Sequence, residues 1–77
     1  MKRAEILGAI EEAAFLPGGT LNGYEALSSI SNWDSLTGSE FRLIVLDRWQ
    51  VPLSGAALVQ CETVADIVGL LGSRVED

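Results

Sequence analysis

Few side chains in this sequence are equipped for covalent chemistry. It contains no histidine and a single cysteine, Cys61. The usual general base and the commonest metal ligand are therefore missing, and neither a disulfide nor a cysteine-rich zinc site can form within the chain. Ser-His-Asp and Cys-His nucleophilic arrangements are excluded for the same reason. One serine stands out by its place. Ser35 lies between Asp34 and Leu36, where a Gly-, Ser- and Asn-rich stretch gives way to the helix-like run Thr37-Gly38-Ser39-Glu40-Phe41-Arg42-Leu43-Ile44-Val45-Leu46. Either Ser35 caps a helix, its hydroxyl satisfying an orphan amide, or something becomes attached to it. Composition favours a protein that is not itself an enzyme, with no catalytic residue and no metal site.

Charge narrows the partners. Eleven acidic side chains outnumber five basic ones, for a formal net charge of −6. The basic residues Lys2, Arg3, Arg42, Arg48 and Arg74 are scattered, so no basic stripe exists to follow a phosphate backbone, and nucleic acid is not expected as a partner. An acidic surface suits basic partner surfaces instead. The uninterrupted apolar runs are short, so neither a signal peptide nor a membrane span is expected, and the chain reads as cytoplasmic.

These residues must be positioned by a single small domain spanning 1–77, since 77 residues allow one modest core. Ile6, Leu7, Ile10, Ala13 and Ala14 recur at helical spacing, which predicts a first helix from about residue 2 to near Phe15. Pro17 and Gly18-Gly19 break it. Residues 16–34 form a long loop, with Leu21, Tyr24, Leu27 and Ile30 spaced to pin it to the core; loops this long in small domains tend to be functional. The second helix runs from about Ser35 to Trp49 or Gln50, with Asp34 and Ser35 both suited to cap it, and Pro52 stops it. Ser54 caps a short turn over Gly55 to Val59. Thr63-Val64-Ala65-Asp66 fits the capping-box pattern loosely, with Asp in place of Glu or Gln, and opens a last helix through Ile67, Val68, Leu70 and Leu71. Residues from about 73 to 77, including Glu76 and Asp77, make a frayed acidic tail. The fold class is all-α: a bundle of three main helices and one short helix, with a long loop after the first.

At 100° per residue the second helix has two apolar faces. Phe41, Ile44, Val45 and Trp49 form a core face, while Leu36, Leu43 and Leu46 cluster roughly opposite, with Ser39 among them. So small a bundle rarely encloses a helix completely, so the second stripe reads as a docking surface beside Ser35.

The stretch Trp33-Asp34-Ser35-Leu36 resembles the acyl carrier protein family, in which the serine of an Asp-Ser-Leu motif carries a 4′-phosphopantetheine arm. The resemblance extends over nearly the whole chain. It takes in the first helix, the loop closing on Leu27 and Ile30, and the buried positions Phe41, Ile44, Val45 and Trp49. It continues through the exit at Val51-Pro52-Leu53, the short third helix, and Thr63-Val64-Ala65-Asp66-Ile67.

The resemblance implies an acyl carrier protein that holds acyl intermediates as thioesters on an arm donated by coenzyme A to Ser35. It implies an Asp34 that helps a phosphopantetheinyl transferase recognise the site. The partner-binding face would comprise Leu36, Ser39, Glu40, Leu43, Leu46 and Asp47, presented to an acyl-loading enzyme and to synthase or modifying enzymes. Cys61 would be a small buried hydrophobe between the third and fourth helices, and Trp49 a core residue. Glu40 and Asp47 are offset by Arg42 and Arg48, and Thr37 stands where an acid is frequent. This argues against a housekeeping carrier of fatty-acid biosynthesis and points to polyketide or hybrid polyketide–peptide biosynthesis. A peptidyl or aminoacyl carrier is the near alternative, although those usually show Gly-Gly before the modified serine where this chain has Asn32-Trp33-Asp34. With Met1 at its start and no linker-like sequence, the chain reads as free-standing and monomeric. A reading of another class is an unmodified helical interaction module using the Leu36/Leu43/Leu46 face.

Overall fold

The structure is a computed structural model that describes residues 1–31 and 33–76, and at Ser73 the backbone only. Asn32 and Asp77, which belong to the segment before the motif and to the acidic tail, lie outside the described residues. Four α-helices follow one another among the described residues: α1 (Arg3–Ala13), α2 (Ser35–Trp49), α3 (Gly55–Val59) and α4 (Val64–Leu71). Two 3₁₀ turns, Leu27–Ser29 and Gly72–Arg74, complete the regular structure. The fold is all-α, and no described helix is long and apolar enough to cross a membrane.

The core follows the apolar spacing of the sequence. Ile6 and Ile10 from α1, Phe41 and Val45 from α2, and Val64, Ile67 and Leu71 from α4 are almost wholly removed from water. Side chains of this size each contribute about 1.5–3 kcal/mol when fully buried. Ile44 and Trp49, expected on the core face, lie half-buried against it.

Three elements differ from the sequence reading. The first helix closes at Ala13, where Phe15 takes a left-handed conformation (φ 59°) and the Leu16 N–H turns back 2.8 Å to Glu11 O. A left-handed residue at a helix end satisfies its last carbonyls and ends it before periodicity does. Tyr24 does not pin the loop to the core: it is 75% exposed, its ring 5.1 Å from the Arg3 guanidinium. Leu21, Leu27 and Ile30 do reach the core. At the far end Glu76 is not frayed, since its N–H donates to Met1 O and its carboxylate pairs with the Met1 amino group at 3.0 Å.

The long loop is held by polar contacts that periodicity does not announce. An antiparallel bridge joins Ala26 to Thr63, with Leu27 N–H donating to Glu62 O and Val64 N–H to Glu25 O, both at 2.9 Å. Glu11, an acid on the helix that starts the chain, is buried and turns its carboxylate to the loop, accepting from Leu21 N–H at 2.8 Å and Gly19 N–H at 3.3 Å. Truncating it strands two amide donors beneath the loop. Glu11→Ala is therefore expected to lower the unfolding free energy by about 2–3 kcal/mol, read from urea denaturation, and Glu11→Gln, which keeps one acceptor, by less.

Candidate functional site

The start of α2 separates two tasks that the sequence left to either of two residues. Asp34 is the cap: its backbone is extended and its Oδ1 accepts the Thr37 N–H at 2.9 Å. Ser35 is therefore the first helical residue, exposed, and its hydroxyl makes no hydrogen bond among the described residues. The cap holds the Asp34 carboxyl below its ordinary value, chiefly through the Thr37 N–H and then the Thr37 hydroxyl. Ser35 is thus chemically idle within the fold and open to reagents outside it.

Beside Ser35 a cavity of about 450 Å³ opens between α2 and α3. Ser35, Ser39 and Arg42 border it along α2, with Trp33 and Leu27 on the loop side. Leu58, Val59 and Cys61 form the wall opposite. Gly38 lets α3 come close at its edge: a Cβ there would lie 3.3 Å from Leu58 Cδ2, and α2 accepts a helix-weakening glycine at this point. Trp33 is half-buried, its ring 6.3 Å from that of Phe41, so the residue before the motif is seated on the core.

Cys61 is not fully buried as expected; it is half-exposed and borders the cavity, with its thiol 3.6 Å from Ala57 O. Partial burial, and then the charge of Asp66, push its pKa up, which disfavours the reactive thiolate.

The apolar stripe of α2 faces water. Leu36, Leu43 and Leu46 are 79%, 60% and 47% exposed. At 100° per residue they share an arc of about 120° with Ser39, Asp47 and Glu40, and all six residues are exposed. Of the two arginines that cancel these acids in the sequence, one is paired with an acid outside the arc. Arg48 pairs with Glu12 of α1 at 3.0 Å, and Arg42 turns its Nε to Leu53 O at 2.9 Å. The arc itself is apolar with two acids, Glu40 and Asp47, and the Arg42 side chain borders it. Arg42, Gly38 and the α3 wall were not singled out from the sequence as site residues; Arg42 lies seven positions after Ser35, a spacing that returns to the same helix face.

Compared with known proteins, the chain matches no family model, no curated protein and no solved structure.

Because Asp34 caps α2, Ser35→Ala should cost less than about 0.5 kcal/mol in urea denaturation, within the range of surface substitutions; a loss near 1 kcal/mol would make Ser35 the cap. The pH dependence has a definite sign. Asp34 and Asp66, the latter bonded to the Glu62 and Thr63 amides, both have folded-state values below the ordinary 3.8. Their stabilisation is whole above that value and is lost as pH falls through the lower folded-state ones. Asp34→Asn keeps a capping oxygen but cannot titrate, so its melting temperature should fall less steeply than the wild type's between about pH 4 and about pH 2.

Proposed function

We propose that this chain is a phosphopantetheine-dependent acyl carrier, with an acyl-carrier-protein-like fold and Ser35 as the attachment point. The observation that carries the reading is the free, exposed hydroxyl of Ser35 at the first position of α2, with its neighbour Asp34 already serving as the cap. A serine relieved of capping at the mouth of a cavity suits covalent loading. The residues present fit a phosphodiester: a group on Ser35 would lie at the start of α2, toward the positive end of its dipole. The arm would supply a thiol that holds acyl groups as thioesters.

Loading follows from the chemistry of the hydroxyl. Ser35 Oγ attacks the pantetheine-bearing phosphorus of coenzyme A. The new O–P bond forms as the bond to adenosine 3′,5′-bisphosphate breaks. The hydroxyl proton goes to a base of the phosphopantetheinyl transferase, because this chain has no histidine to take it. Asp34, exposed and ionised, faces that transferase. The arc of Leu36, Ser39, Glu40, Leu43, Leu46 and Asp47 meets the loading enzyme and the synthase, combining apolar contact with attraction to a basic surface. A carrier of this kind has no catalytic role of its own. It works as a monomer in the cytoplasm, within polyketide or hybrid polyketide–peptide biosynthesis, with aminoacyl cargo as the near alternative.

The exposed leucines also favour a second reading, an unmodified module that binds a partner helix through Leu36, Leu43 and Leu46. Intact mass after incubation with coenzyme A, Mg²⁺ and a broad-specificity transferase separates the two. The expected result is a gain of one phosphopantetheine in the wild type and none in Ser35→Ala. No gain in a folded wild type with active transferase would favour the module.

A further inference from the structure

Arg42 is a cation for which the described residues supply no anion. Its Nε is fixed on Leu53 O at 2.9 Å, which anchors the guanidinium. No carboxylate lies within ion-pairing distance of it among the described residues, whereas Arg48, on the same helix, has Glu12. In a chain of net charge −6 an unpaired, half-buried arginine is notable. The acid that shares its cavity, Asp34, is engaged with Thr37.

Its surroundings are shaped around it. A Cβ on Gly55 would lie 3.0 Å from Nη1 and 3.4 Å from Cζ, so the first residue of α3 leaves the space in which the guanidinium rests. Arg42 and Ser39 border both the cavity beside Ser35 and a second hollow of about 260 Å³ lined by Leu43, Leu46 and Leu53. The opposite wall is largely apolar, with Leu58, Val59 and Cys61. Such a cavity has one cationic edge whose two NH₂ groups make no hydrogen bond among the described residues, beside a hydroxyl. That is the donor set for a carboxylate held by a bidentate fork, with apolar side chains across from it for the rest of the chain. Ser35 and Arg42 are seven residues apart, about 10 Å along α2 and on one face of it.

We propose that this cavity selects acyl cargo ending in a carboxylate, with Arg42 as the residue that holds it; the inference rests on the carrier reading. A purely alkyl chain would fill the same walls but leave the guanidinium without a partner.

The experiment loads the protein from glutaryl-coenzyme A and, separately, from pentanoyl-coenzyme A, two arms with five acyl carbons each, and compares melting temperatures. The wild-type glutaryl form is expected to melt about 4 °C above the pentanoyl form, the scale of one favourable polar contact in a domain of this size. In Arg42→Met the two forms should melt together. Comparing two arms on one protein cancels whatever the variant loses by giving up its bond to Leu53. Arg42→Lys, which keeps the charge without the fork, should show less than half the wild-type difference. Equal melting of the two wild-type forms would overturn the proposal and leave the carrier reading intact, since both arms would be attached. A difference that persists in Arg42→Met would overturn the role of Arg42. A wild type that accepts neither arm would remove the carrier reading and this inference together.

Discussion

Two backbone hydrogen bonds hold the long first loop to the beginning of α4, and the geometry around Ser35 depends on them. Leu27 N–H reaches Glu62 O and Val64 N–H reaches Glu25 O, each at 2.9 Å. Singly, such bonds contribute about 0.5–1.5 kcal/mol. Their geometric effect is larger. They fix the middle of the loop, turn Leu27 and Ile30 into the core, and deliver the chain to Asp34 at the start of α2. Leu27 is buried and borders the cavity as well, so one pairing sets the loop path, part of the core and part of the cavity wall. Glu11 supports the other end of the same loop from beneath.

Within that frame the first turn of α2 distributes its work among neighbours. Asp34 satisfies an amide, Ser35 keeps its hydroxyl free, and Gly38 withholds a side chain where α3 comes close. A serine cap would have been as good for the helix but would have tied up the hydroxyl. The remaining face of α2 gives up three leucines to water, a cost in solubility that a partner surface would recover on binding.

The legible part of this structure is the part written in local chemistry. Pro17, Pro52, Ser54 and the Thr63–Asp66 box mark element ends through interactions within a few residues, and the helices begin and end close to where those signals stand. Phe41 and Val45 against Leu36 and Leu43 divide the faces of α2 by spacing alone. What escaped the sequence is long-range or conformational. Glu11 reads as a surface acid because nothing near it in the chain reveals that Leu21 and Gly19 will need an acceptor. Tyr24 reads as a pin by its size, yet its ring stays in water beside the Arg3 guanidinium. The cavity depends on a short helix folding back across α2, so Arg42 and Cys61 acquire their places only when α3 is in position. Asp34 and Ser35 are equally good caps as letters; the extended backbone at Asp34 decides between them.

Trp33 sits where the core and the cavity meet, its ring tilted at 58° to Phe41 and its flank on the open space beside Ser35. The other indole, Trp49, lies under the Arg48 guanidinium and does not line that space. The molecule therefore carries its own optical probe. In a protein with Trp49 replaced by phenylalanine, the emission colour of Trp33 would register whether the cavity holds water or hydrocarbon, without any label added to the chain.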